Sequence, residues 1–373
     1  MVEAERATEP AVRVSTLELF LDLVFVFTIT QLTSVVDEDV TVLAVLRVML
    51  LLGVIWWMYG GYAWLTNAVA PVSSYRRGMM IIGMAGFLVM ALAIPDAFGG
   101  TGWAFGVGYF AVNLVHSGLF RYSAGRGAAR AAAALFPLNL TSAGLVLAGG
   151  FLPVAWRSVA WGAALAVQIA SPYLHPIGGF TISAAHFVER HGLVVIIALG
   201  ESVVAIGVGA RGTSLGWRLI LAAVLGLVLA YNLWWAYFGG DDERAEHAMD
   251  RIEDATRRAR TALRAYGYAH YPILLGIVLV AAGVKNVIGH TFRPMSTPGA
   301  LALGGGIAVF LAGDLIFRRI MRIGRPWYRV ACAVGALVTV PVGRVLGIWQ
   351  LAVITAALTV LLAVEAHRAR PAG

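Results

Sequence analysis

The chain has 373 residues, 60% apolar and 13% charged, against roughly 45–50% and 25% in soluble globular proteins, which excludes a soluble fold. At about 20 apolar residues per crossing helix, this length holds roughly a dozen membrane spans, short connections and little else. The single cysteine, Cys332, excludes a disulfide framework or a Cys-based zinc site, and the net charge of +8, with Lys285 the only lysine, points to arginine-rich loops facing anionic lipid and not to nucleic acid.

In chain order, Glu3, Glu5 and Glu9 stand where a cleaved signal peptide carries basic residues, so the first apolar run is expected to stay in the protein. Breaks between apolar runs predict spans near residues 15–36, 42–66, 78–95, 102–120, 131–151, 154–174, 186–208, 216–239, 266–288, 300–317, 328–343 and 347–365. The runs are solidly apolar and do not alternate, so they read as helices and not as barrel strands. The expected fold is all-α, a polytopic membrane protein of about 12 spans in one membrane domain. Twelve spans put both termini on one side, together with 21 of the 28 basic residues, from Arg6 and Arg13 to Arg368 and Arg370. By the positive-inside rule that side is the cytoplasm and the membrane a bacterial inner membrane.

Span 1 opens Ser15-Thr16-Leu17-Glu18, the spacing of a capping box, which weighs equally with a functional role for Glu18. Asp22, one turn deeper on the same face, has no such cap. Two carboxylates so placed repel, and one of them calls for a cationic partner. Span 2 carries Trp56-Trp57-Met58-Tyr59, then Gly60-Gly61 and Tyr62, rings able to line an apolar pocket. Asn113 and His116 on span 4 join those pocket candidates, although they, Asn139 and Gln168 read first as interhelical hydrogen bonders.

On span 7, positions 186, 190, 194, 197 and 201 fall on one stripe, aligning His186, Arg190 and Glu201. Arg190 and Glu201 are about 16 Å apart along the axis, too far to pair. Arg190 is therefore expected to meet Asp22 or Glu18 as a counter-ion. Glu201, placed near the bilayer midplane, is a functional candidate by the cost of burying a carboxylate there.

Residues 241–264 read as one amphipathic helix on the cytoplasmic surface, with seven acids against six arginines. Asp241, Asp242 and Glu246 make at best a weak divalent-cation site beside the plainer reading of a solvated acidic face. Asp314, with Arg318 four residues on, reads as an end-of-helix pair. No zinc, phosphate-loop or nucleophile-elbow motif occurs, and the sequence names no cofactor.

Trp56-Trp57 and Trp234-Trp235 lie 178 residues apart, each about 33 residues after a buried carboxylate, Asp22 or Glu201. This spacing suggests two parallel six-helix halves, 1–185 and 186–373, of a kind common among transporters. An interfacial aromatic belt is the better explanation of Trp234 and Trp235, near the cytoplasmic end of span 8, and the weaker one for Trp56 and Trp57.

The segments Ser15 to Phe27, His186 to Leu193 and Ala198 to Ser202 resemble the bacterial low-temperature-requirement protein A family. His191 stands where the family pattern tends to an aromatic residue. The resemblance implies a polytopic membrane protein with an acidic first helix and a Glu-Arg…Gly-Glu helix; it implies no particular reaction, because the family name records a growth phenotype.

Three classes follow. The first is a transporter, proton-coupled through Asp22 and Glu201, with Arg190 as counter-ion. The second is an intramembrane enzyme acting on a lipid or isoprenoid, with an aromatic pocket and an acidic proton donor. The third is a non-catalytic stress-adaptation protein. Membrane lipids and a small-molecule or lipid ligand are the expected partners.

Overall fold

A computed structural model describes residues 14–38, 40–69, 73–123, 125–175, 179–324 and 327–369. Glu3, Glu5, Glu9, Arg6, Arg13, Arg325 and Arg370 lie outside them. Among the described residues the chain is all helix with turns: α1 Thr16–Glu38, α2 Val42–Ala68, α3 Ser74–Ala93, α4 Gly102–Ser123, α5 Arg126–Gly150, α6 Val154–Leu174, α7 Ala184–Gly209 and α8 Trp217–Phe238. Two short helices follow, α9 Asp241–Asp250 and α10 Ala255–Ala262, then α11 His270–Gly289, α12 Thr297–Met321, α13 Trp327–Val338, α14 Val340–Val345 and α15 Gly347–Ala369. The protein is a polytopic membrane protein. Among the described residues ten helical segments are long and apolar enough to cross a bilayer; Gly102–Ser123 and Val154–Leu174 are helices at expected span positions but fall outside those ten.

Helix starts follow the sequence. Thr41, Ser73 and Ser296 cap α2, α3 and α12, each side chain accepting a backbone N–H of the first turn, which satisfies an otherwise orphaned donor. Expected span 11 is broken into α13 and α14 at Thr339, where Pro341 cannot donate to the preceding turn.

Segment 241–264 is not the single helix expected. It is interrupted after Asp250 because Asp254 caps a new helix, its Oδ1 accepting from Arg257 N at 2.6 Å. Arg258 holds the break by donating to the carbonyls of Ile252 and Asp250. A π-helical stretch, Leu263–Tyr268, then leads into α11.

Contacts sort the helix ends. The starts of α1 and α7 and the ends of α12 and α15 gather at one end of the bundle, hereafter the terminal end. Asp37 pairs with Lys285 at the opposite end. There too Arg157 donates to five carbonyls, of Ala97, Gly99, Gly149, Gly150 and Leu152. Within each set of six long segments the same neighbours pack: first on second and third, third on fourth, fourth on fifth, fifth on sixth, sixth on second. The two sets meet where α1 and α2 pack on α7 and α11.

Candidate functional site

The α1–α7 contact holds the charged groups. Glu18 closes its capping box, its Oε2 accepting from Ser15 N at 2.8 Å and Ser15 Oγ at 2.7 Å. It also takes His186, whose Nε2 lies 3.2 Å from Oε1. Capping and pairing therefore coexist at Glu18. One turn deeper, Arg190 Nη1 donates to Asp22 Oδ2 at 2.6 Å and to the Glu18 carbonyl at 3.0 Å. Tyr59 donates its hydroxyl to Asp22 Oδ1 at 2.7 Å, and the Arg190 guanidinium lies over the Tyr59 ring. Asp22 and Arg190 are fully buried. Arg190 Nε and Nη2 find no hydrogen-bond partner among the described residues, and the ring contact offsets only part of that loss.

Glu201 faces the same helix elsewhere. Its Oε2 accepts from Thr30 Oγ1 at 2.6 Å. Thr30 lies eight residues beyond Asp22, about 12 Å along α1, so Glu201 and Asp22 do not share a site. Glu201 also sits past the middle of α7, about 7 Å toward the opposite end.

Beside this seam lies a cavity of about 630 Å³ between α2, α4, α5 and the π-helical stretch, within the usual range of small-ligand sites. Trp56, Trp57, Trp64, Phe120, Phe136 and Phe180 give it aromatic walls. His116 and His191 reach it, and Arg121 and Arg130 stand at its terminal end. Trp56 joins cavity to seam: its Nε1 donates to Gly267 O at 2.7 Å and its ring stacks on Tyr59.

Of the pocket residues expected from sequence, Trp56, Trp57 and His116 line the cavity. Three do not. Tyr59 turns to Asp22; Tyr62 is buried, its hydroxyl donating to Val112 O; Asn113 donates to Met58 Sδ and to the Asn139 carbonyl. Each is drawn away by a hydrogen bond that a buried polar group requires. Gln168 bonds Tyr109, as an interhelical partner should. His116 makes no such bond. Sequence reasoning demoted His191 and Asn139, both of which line the cavity.

The acidic connector is not open for a cation. Asp241 is buried, accepting from Arg244 Nη1 at 2.7 Å and Arg318 Nε at 2.5 Å, so both oxygens are committed to guanidinium groups. Asp242 and Glu246 remain half-buried on α9, and the described residues hold no metal-competent cluster. Arg318 lies 3.6 Å from Asp314, but the short bond to Asp314 comes from Arg329 at 2.6 Å. Glu365 joins both arginines, accepting at 2.6 Å and 2.9 Å. Of this network of α9, α12, α13 and α15 only the Asp314–Arg318 spacing was a local sequence signal; Glu365 is 36 residues from Arg329 and 47 from Arg318.

The family model of the bacterial low temperature requirement A protein matches residues 13–366. An uncharacterized protein of Rhizobium meliloti (strain 1021) is 31% identical over 335 residues, 84% of this chain and 79% of that protein.

Proposed function

The chain belongs to the bacterial low temperature requirement A family, and from that premise we propose that it is an inner-membrane transporter whose two six-helix halves, 1–185 and 186–373, move against each other along α1 and α7. The observation that carries this reading is the place of the buried charges. Asp22 with Arg190, and Glu201 with Thr30, lie where the two sets of helices meet. Buried ionisable groups at such an interface are costly unless used. The matched packing of the two sets supports the repeat, and parallel halves place the site between them.

In the arrangement described, Asp22 is held by Arg190 and Tyr59 while two nitrogens of Arg190 stay unsatisfied. A shift of α7 along α1 would offer those donors new acceptors. Among the described residues no arginine pairs with Glu201; the cation that acts on it is Lys285, itself paired with Asp37, and its hydroxyl partner serves both the protonated and the ionised carboxyl. It is assigned as the coupling proton's carrier. Both termini and segment 241–264 face the cytoplasm, in accord with the arginine bias. The enzyme reading fares less well, because its proton donor was to be a carboxylate and none is among the residues lining the cavity.

Proteoliposomes enclosing a pH-sensitive dye and given a panel of organic anions test the reading. The wild type should acidify its lumen with at least one anion, and Glu201→Gln should bind that anion but lose the proton signal. Full coupling by Glu201→Gln would remove Glu201 from the mechanism. Absence of flux, with the wild type converting an added isoprenoid or lipid, would replace transport by catalysis.

A further inference from the structure

We propose that the aromatic cavity is a binding site for one amphiphile with a single apolar chain and an anionic head, the chain lying among Trp56, Trp57 and Phe136 and the head at Arg121 and Arg130. The inference deepens the transport reading by naming a cargo class, and rests on it for the site's purpose. Binding is measured below without flux, so the two fail separately.

Three observations carry it. The first is charge: no carboxylate lines the cavity, whereas Arg121 and Arg130 stand at its terminal end and neither forms an ion pair among the described residues. Guanidinium forks suit phosphate and carboxylate heads. The second is His116, 7% exposed, whose ring packs against Tyr62 and Phe120 while its nitrogens find no side-chain hydrogen-bond partner among the described residues, only the adjacent Gly61 backbone. A buried unpartnered polar ring on a cavity wall calls for a ligand or water to satisfy it. The third is glycine placement. Gly60 and Gly118 line the cavity, and a Cβ at either would meet nothing within 4 Å. Glycine is a poor helix former, costing about 1 kcal/mol relative to alanine. Glycine at these two positions leaves open cavity space that a side chain would fill.

The dimensions fit. Leu114 to Arg121 on α4 spans seven residues, about 10 Å, and Arg130 to Asn139 on α5 spans nine, about 14 Å. A medium-length alkyl chain lies along that depth with its head at the arginines, near the membrane surface where charge stays hydrated. The cavity's volume suits one such chain.

The probe is dodecyl phosphate, added to the whole protein in phosphatidylcholine nanodiscs and followed by tryptophan fluorescence and isothermal calorimetry. Saturable binding is expected, with dodecyltrimethylammonium and inorganic phosphate each weaker by about tenfold or more. Gly60→Leu, filling open space on a helix, should abolish binding while leaving thermal unfolding unchanged or improved. Gly162→Leu, equally unobstructed but on α6 away from the cavity, should leave binding intact. The Arg121→Gln/Arg130→Gln double variant should lose about tenfold in affinity and its salt dependence. Repeating the titration in phosphatidylglycerol nanodiscs distinguishes the source of the head. Competition marks a bilayer lipid as occupant, its absence a free amphiphile, and either supports the site. Equal binding of the cationic probe, or binding that survives Gly60→Leu, would overturn it.

Discussion

At the scale of single residues, Asp22 and Arg190 illustrate how a buried pair behaves. Each is fully covered, and the Asp22–Arg190 bond is 2.6 Å. Removing one partner strands the other's charge, which costs about 3–5 kcal/mol for pairs of this kind, whereas removing both is far milder. Asp22→Asn and Arg190→Gln should each lower the melting temperature sharply, and the double variant should recover much of the loss. Additive losses in that thermal cycle would mean the two residues act separately. Gly60 and Gly61 give a second contrast, since they are neighbours on α2. A Cβ at Gly60 meets open space, but one at Gly61 would lie 3.0 Å from His116 Nε2. Gly60→Ala should therefore be neutral or stabilising by up to about 1 kcal/mol, and Gly61→Ala should be the less stable of the two, as read by thermal unfolding in detergent. The sequence made Asp22, Arg190 and the capping role of Glu18 legible because burial of charge is a local inference once the apolar runs are seen. It could not tell that Tyr59 and Tyr62 turn from the cavity while Trp56 and Trp57 face it, because adjacent positions differ by about 100° around a helix and no partner helix is visible in a sequence.

Helices pair through features that sequence shows only in part. α11 and α12 approach through glycines: a Cβ on Gly276 would lie 2.5 Å from Phe310 N, and one on Gly306 would lie 2.8 Å from Val280 N. Small residues that admit such backbone contact are what holds helices together where lipid removes the hydrophobic drive. Gly306→Val should force α12 away from α11 and lower both yield of folded protein and melting temperature; unchanged melting would refute the close packing. Asp254, whose cap divides α9 from α10, offers a milder test. Asp254→Ala should cost about 1 kcal/mol, visible as faster proteolysis within 241–262 with the remainder of the bundle unaffected. The charge pattern here predicted a continuous helix because alternation of sign does not reveal a cap.

Across the whole molecule, the fold class was open to reading from composition alone, and helices occupy all twelve positions expected for spans. The terminal-end network of Asp241, Asp314, Arg318, Arg329 and Glu365 was not, since it joins four elements distant in sequence. Reporter fusions at Gly240 and after residue 369 should both report cytoplasmic, as the arginine bias requires; a periplasmic signal from either would overturn the proposed orientation. The molecule is also unevenly packed. Only 22% of the apolar stretch in α5 is buried inside the protein, against 78% of the stretch that ends in α11. α5 carries Pro137 within its length, which removes a backbone bond and eases bending. The glycine seam of α11 and α12 is thus closely packed, whereas the cavity's outer wall is a peripheral helix bearing a proline. Lateral pressure in the bilayer should therefore reach the cavity's volume before it reaches α11 and α12, so that dodecyl phosphate affinity is expected to change between nanodiscs of short-chain and long-chain phosphatidylcholine, and equal affinity in both would refute this.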